Sequence, residues 1–357
     1  GQYAPLAFLS YLVLYAGFGY DPFYFHMFSL LLHIGCVCLV WKLISSLLRV
    51  HGGVSEKQIL YVNFITTLLF AVHPINVEAV AWISALKVLL YAFFYLLGLL
   101  CYLRYIRTSK IFYYVLTIGC FLCSFWGKEQ AVTFPLALLI VDWFTNRNMK
   151  NLEVWSEKMS FLIMAFFFGI ITVLSQGKGP YEMIFPLYQR LLFGCFALVE
   201  YITKSLLPVN LNFFYPFPIV LGEEPPLHYY LYPVVLLFLM GWIIAYRNNR
   251  YLVFGVLLFL VNLLFSIHLF NMSRHAIVAD RYMYLSYVGI AFLIANGIWW
   301  LRKRLSYFKA ALVFLFFYCF FLSVYTFHYT KKWENTTMVK KYTKEVLEKR
   351  LNGSNHL

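Results

Sequence analysis

Three polar stretches interrupt an otherwise apolar chain: His73-Pro74-Ile75-Asn76-Val77-Glu78, then Lys128-Glu129-Gln130, then Arg274-His275 with Asp280-Arg281-Tyr282 close behind. They hold the residue types of acid–base and anion chemistry, carboxylates that accept a proton and cations that stabilise an oxyanion or phosphate. Arg is the side chain best shaped for bidentate contact with phosphate. Each stretch also has a structural reading. Pro74 disfavours helix at His73 and suits a helix start, which makes Asn76 an N-cap and Glu78 a first-turn carboxylate favoured by the helix dipole. Lys128-Glu129 reads as an interfacial ion pair and Arg281 as a head-group anchor. Lys87 lies nine residues beyond Glu78. At ~100° per residue that puts the two on opposite sides of one helix, where they cannot pair and Lys87 snorkels to the interface.

These groups sit in a chain of 357 residues that is 62% hydrophobic and 21% aromatic, with 12% charged residues and mean hydropathy +0.72. Soluble domains carry about 25% charged residues, so an integral membrane protein is expected. Apolar runs near 23–47, 58–73, 80–104, 110–126, 130–145, 159–175, 228–246, 251–269, 283–301 and 308–328 predict about ten spanning helices in one all-α polytopic domain. The net charge of +14 falls mainly in turns, where cations orient spans and meet anionic head groups, so nucleic acid is not an expected partner. Cys36, Cys38, Cys101, Cys120, Cys123, Cys195 and Cys319 all lie in apolar segments, and neither a disulfide framework nor a metal site is assigned. Whether a divalent metal takes part is left open. No signal peptide is visible, and a segment before Gly1 is expected.

Basic residues mark alternate turns: Lys42, Arg49 and Lys57; Arg104, Arg107 and Lys110; Arg147, Lys150 and Lys158; Arg247 and Arg250; Arg302, Lys303 and Arg304. The positive-inside rule makes these cytoplasmic and places the polar stretches, the segment 176–227 and the tail on the external side. Residues 187–207 are read as an external interfacial helix, because Arg190, Glu200 and Lys204 interrupt the run. The basic tail counted alone would prefer the cytoplasm. Its Met338, Tyr342 and Val346 form a helical stripe expected to pack on something outside the chain. Asn271, Asn335 and Asn352 each open an N-x-S/T sequon. A solute carrier would place ionisable groups mid-span, and the main polar exceptions there are His26, His33 and His268.

Four ordered stretches carry a resemblance: "HPINVEAVAWISALKVLL", "FLCSFWGKEQAVTFPLALLIVDWF", "LLPVNLNFFYPFP" and "ADRYMYLSYVGIAFLIA". In order and spacing they are similar to the membrane part of the transmembrane and tetratricopeptide-repeat (TMTC-type) family and its bacterial relatives. The opening "YAPLAFLSYLVLYAGFGYDPFYFHMFSLLLH" looks like the region after that family's first external loop helix. The resemblance implies a GT-C glycosyltransferase fold, with residues 1–22 ending the first external loop, 23–328 forming the multi-span core, and 329–357 leading into tetratricopeptide repeats. It implies transfer of a sugar, in some relatives mannose, from a polyprenyl-phosphate donor to an acceptor such as protein Ser/Thr. The expected partners are the bilayer, the lipid-linked sugar and a peptide or protein acceptor reaching the repeats. The expected location is a bacterial inner membrane, or the ER membrane in a eukaryote, with the polar site on the periplasmic or lumenal side.

Carried over residue by residue, the resemblance implies donor-phosphate and sugar binding by His73, Lys128, Glu129, Asp280, Arg281 and Tyr282, with Glu78 as a supporting carboxylate in the same turn as Pro74. The family's catalytic acidic motif is expected before Gly1, and Asp21 does not take its place. Many bacterial relatives read like Glu-Arg-Lys-Asp where this chain has Ala85-Leu86-Lys87-Val88, and Ser286 stands where a Pro is usual. The loss of three charges together motivates a rival reading as a non-catalytic membrane scaffold. A lipid or solute carrier ranks third.

Overall fold

The computed structural model describes residues 4–176, 185–212, 214–268 and 276–354. The sequon at Asn271 and the cations Arg274 and His275 lie outside the described residues. Regular structure among the described residues is helical, with a single isolated bridge between Tyr215 and Val278.

The chain opens with α1 (Pro5–Phe18), α2 (Pro22–His51) and α3 (Glu56–Val72). A broken stretch follows: a 3-10 turn at Pro74–Asn76, the short α4 (Val77–Ala81), a second 3-10 turn at Ile83–Ala85, and α5 (Leu86–Thr108). Next come α6 (Ile111–Gly127), a 3-10 turn at Glu129–Thr133, α7 (Phe134–Phe144), α8 (Leu152–Gln176) and α9 (Leu187–Leu206). The rest is α10 (Leu231–Ala245), α11 (Arg250–Leu263), a 3-10 turn at Asp280–Tyr282, α12 (Met283–Trp300), α13 (Leu305–Thr330) and α14 (Thr336–Ser354).

All ten apolar runs become helices, but fewer than ten have the length of a span. Six helices among the described residues are long and apolar enough to cross a membrane, or seven if α3 and the bent Pro74–Ala81 piece, at 51°, count as one. α7 and α11 are shorter than the runs suggested, and α6 has the length of its run, 17 residues, which is short for a span. The 3-10 turn at Glu129–Thr133 takes the first residues of the α7 run, and α11 stops before a turn that ends in His268 at φ 59°. A second departure is α1, a 14-residue helix where the sequence suggested loop. Ala7 on its inner face and Ala4 just before it pack on Leu86 and Leu90, and the Tyr11 hydroxyl donates to the Ile83 carbonyl at 2.7 Å.

α5 is the central helix, buried along most of its length between α2 and α6, and α12 packs against α3 and α11. Two glycines let α11 and α12 cross closely: a Cβ on Gly289 would stand 2.5 Å from the Gly255 carbonyl oxygen and 2.7 Å from the Phe259 nitrogen. At the outside, α10 buries none of its residues and Phe238 and Phe314 are 76% and 71% exposed, as lipid-facing helices would be.

Contacts between turns sort into two ends that match the alternation of basic turns. At one end His51 Nδ1 lies 2.7 Å from the Phe144 carbonyl, Arg250 donates to the Trp143 carbonyl at 3.2 Å, and Arg147 pairs with Glu157 at 2.7 Å. At the other end meet the turn after α3, the start of α7, the loop 207–226, the start of α12 and the tail. α9 touches this second end at both its own ends, through Gln189 to the Glu223 carbonyl at 2.9 Å and through Lys204 to Tyr215 at 2.7 Å.

The tail folds back onto the chain itself. The inward face of α14 carries Val339 and Tyr342, which join Val77, Leu211, Tyr329 and Trp333, and the Tyr342 hydroxyl donates to the Leu211 carbonyl at 3.0 Å. Of the stripe expected from spacing four, Tyr342 lies on this face, Met338 is 41% exposed with Val339 in its place, and the Val346 side chain lies outside the described residues.

Candidate functional site

The site begins where the α3 helix must stop. Pro74 cannot donate to the helix ladder, and the chain turns over His73, whose backbone N–H still reaches Leu69 and whose Nδ1 accepts from the Ile75 N–H at 3.2 Å. His73 is buried and packs against Tyr287 of α12, ring centroids 4.2 Å apart and planes inclined at 36°, so it holds the corner of the turn. Asn76 makes no side-chain cap; its amide donates instead to the Phe70 carbonyl at 2.7 Å and ties the turn to α3. The cap reading of Asn76 is therefore corrected: the amide is drawn to the Phe70 carbonyl, whose helical partner would be Pro74, which has no N–H.

Glu78 is fully buried, and both its oxygens are engaged by one residue. Oε1 lies 2.5 Å from the Arg281 guanidinium and Oε2 accepts the Arg281 backbone N–H at 2.7 Å. This clamp fixes the 3-10 turn Asp280–Tyr282 onto α4. Removing one partner of a buried pair typically costs about 3–5 kcal/mol, because the other charge is left without compensation. The guanidinium also lies over two rings, 5.4 Å from Trp82 and 5.1 Å from Tyr282. With 21% of its side chain exposed, it retains donors for a further anion.

Asp280 faces the other way and is also fully buried. Its carboxylate accepts from the Tyr215 hydroxyl at 3.0 and 3.1 Å, and Lys204 stands 3.9 Å from it. Lys204 donates to the Tyr215 oxygen at 2.7 Å, as does the Asn212 backbone N–H at 2.6 Å, and Glu200 lies 3.7 Å from Lys204 one turn back on α9. Burial, reinforced by the charge of Asp280, holds the Tyr215 phenol well above its ordinary range. It is therefore a proton donor at every physiological pH. Tyr215, Lys204 and Glu200 were given no role in the site by the sequence. The usable signal was Lys204 itself, a charge in an apolar helix that needs a partner from elsewhere.

Lys128 is buried with its ammonium 4.7 Å from the Tyr282 ring centroid, and Gln130 beside it donates to the Ser266 hydroxyl at 2.8 Å. Lys87 also comes to this layer. It lies in electrostatic reach of Glu129, Arg281 and Tyr282. The projection of Glu78 and Lys87 onto one helix is thereby corrected, because the chain between them is not one helix: Trp82 leaves it at φ −85°, ψ 109°. Of the sequence candidates, Glu78, Lys128, Asp280, Arg281 and Tyr282 form one connected group, Glu129 adjoins it through Lys87, and His73 supports it through packing. The arrangement holds cations over aromatic rings, with buried carboxylates beneath them that position rather than face solvent. Such a layer can bind an anion.

Among the mid-span histidines, His33 lies 2.7 Å from the Tyr284 hydroxyl and His268 lies 2.7 Å from the Ile277 carbonyl, both within local polar pairs. No group of three or more His, Cys, Asp and Glu side chains among the described residues could hold a metal ion.

Comparison with known proteins bears on the chemistry. No protein-family profile matches the chain, and no solved structure does. Part of the chain is similar in sequence to proteins named protein O-mannosyl-transferases. The Xenopus laevis protein O-mannosyl-transferase tmtc2 is 30% identical over 184 residues, which are 49% of this chain and 21% of that protein. The human protein O-mannosyl-transferase TMTC2 is 34% identical over 160 residues, 43% of this chain and 18% of its own length. The human protein O-mannosyl-transferase TMTC4 is 32% identical over 144 residues, 37% and 19% respectively. Over less than half of its length, this all-helical, membrane-type chain is thus similar to the TMTC-type O-mannosyl-transferases, and it matches about a fifth of each of them.

Proposed function

We propose that the chain is the membrane core of a GT-C-type glycosyltransferase that moves mannose from a polyprenyl-phosphate donor to Ser/Thr hydroxyls of a protein on the external face. The observation that carries this reading is the Glu78–Arg281 clamp with Lys128 beside it over Tyr282, a preorganised pair of cations at one end of a multi-span bundle, with Lys87 within electrostatic reach. The names of the similar proteins support the choice of sugar and acceptor.

In the transfer, the bond from the sugar anomeric carbon to the phosphate oxygen breaks as a bond to the acceptor oxygen forms. The hydroxyl proton passes to a base, and polyprenyl phosphate leaves with the electron pair. Arg281 and Lys128 hold the phosphate and stabilise the charge that grows on it. Glu78 keeps the guanidinium aimed, and Asp280 with Tyr215 and Lys204 anchors the turn to the loop 207–226. α9 lies along the external membrane surface. No residue of this chain is assigned as the base.

A second reading, a non-catalytic scaffold, is favoured by the complete burial of Glu78 and Asp280 and by Ala85-Leu86-Lys87-Val88. The experiment that separates the two is transfer of labelled mannose from dolichyl phosphate mannose to a Ser/Thr peptide by the full-length protein in nanodiscs. Turnover by wild type that falls at least 100-fold in Arg281→Ala supports the enzyme. Folded wild type without transfer moves the scaffold reading to first place, and near-normal turnover by the variant removes Arg281 from the phosphate.

A further inference from the structure

An open groove of about 760 Å³ lies between the tail helix α14 and the break in the chain at Ala81–Ser84. Trp82 and Trp333 form its aromatic floor, with ring centroids 6.2 Å apart, and the Arg281 guanidinium lies 5.4 Å from the Trp82 ring. The groove therefore opens beside the cation layer described above. Its outer wall is a single face of α14. Thr336, Lys340 and Lys344 recur there every fourth residue, and Thr343 sits beside them. Glu334 and His26 complete its titratable lining.

The shape of this wall discriminates between ligands. A phosphate head group is held by donors that converge on one point. Here the polar groups form a stripe, and eight residues of helix rise about 12 Å, the length of about four residues of extended chain. Hydroxyls and two ammonium groups on one side, with flat indoles on the other, suit a peptide backbone with carboxylate side chains. Lys340 is exposed, and the 3.8 Å contact of Lys344 with Glu348 joins two side chains 79% and 59% exposed, a pair that solvent largely screens and that yields readily to another carboxylate. We propose that this groove binds an extended acidic segment of polypeptide and, on the transferase reading, presents its hydroxyl residues to the Arg281 layer. The binding itself does not depend on that reading.

The test is fluorescence anisotropy with labelled ten-residue Ser/Thr peptides, flanked by Asp/Glu in one set and by Lys in the other, on the full-length protein in nanodiscs at ~0.15 M salt, where charges beyond about 8 Å are screened. No donor sugar is present, so a protein that binds peptide but transfers nothing leaves the groove standing while the transferase reading falls. Wild type is expected to prefer the acidic peptide. Lys340→Glu/Lys344→Glu is expected to weaken it at least tenfold and to strengthen the basic peptide, whereas Lys331→Glu/Lys341→Glu, an equal charge change outside the groove, is expected to change the Kd less than twofold. Both pairs are at exposed or largely solvated positions, and thermal unfolding checks that each variant folds. Equal loss in the two pairs, or no preference in wild type, overturns the proposal. So does competitive displacement of the peptide by dolichyl phosphate, which assigns the groove to the lipid donor.

Discussion

At the scale of single residues, the site is governed by the cost of burying charge. Glu78 has no access to solvent and is engaged twice by Arg281, so its role is exerted through that residue. Glu78→Gln keeps the shape but leaves a buried guanidinium without its counter-charge, and a loss of about 3–5 kcal/mol is expected. Thermal unfolding in detergent measures it. Glu78→Leu/Arg281→Leu is expected to recover part of that stability while transfer stays absent, and a Glu78→Gln protein as stable as wild type would sink the clamp. The buried network at the opposite end follows the same rule: Lys158 lies 2.5 Å from Asp142, which also accepts from Tyr102 at 2.8 Å, and both charges are fully buried. Asp142 keeps Arg147 at 3.2 Å when Lys158 is removed, so Lys158→Met alone is expected to cost less, about 1–3 kcal/mol. Loss of less than 1 kcal/mol in the same unfolding assay contradicts that expectation.

At the scale of elements, close helix crossing decides where the site residues stand. The turn Asp280–Tyr282 leads directly into α12, so the position of Arg281 depends on how α12 lies against α11. At Gly289 a side chain would meet the backbone of α11, and Gly289→Leu is expected to cost at least 1–3 kcal/mol, about the range of core overpacking. Gly297, two turns on in the same helix, has open space around its Cα, and Gly297→Leu is the matched control. Equal melting temperatures for the two variants would show that the crossing has little energetic weight. The ten apolar runs were legible because a long apolar stretch has few alternatives to helix. The break between α4 and α5 was not, since no Gly or Pro occurs between Ile75 and Leu90. Trp82 leaves the helix where its ring lies between Arg281 and Trp333, and that fit is tertiary.

At the scale of the whole molecule, the turns rich in Lys and Arg gather at one end and the candidate site with the tail at the other. α12 separates them by 18 residues, about 27 Å at 1.5 Å per residue, close to the hydrocarbon thickness of a bilayer. If the proposed orientation holds, Lys344→Cys and Lys303→Cys, each introduced after the seven native cysteines are replaced by Ser or Ala, will label from opposite faces of sealed vesicles with a membrane-impermeant maleimide. Labelling of both from one face would refute the two-ended arrangement.

The sequence by itself determined the solvent in which this chain folds, the positions of its main helices and the alternation of its turns, because hydropathy and charge act locally and additively along the chain. It also picked out most of the charged residues now seen together. Only the tertiary structure decided which of them touch. Glu78 and Arg281 are 203 residues apart, and Asp280 meets Tyr215 across 65. Local pattern could not assign those partners, because a buried charge specifies that it must have a counterpart but not from which segment the counterpart comes. The same holds for α14: its periodicity marked it as a helix with a face to bury, and the packing against Trp333 and Leu211 chose the face.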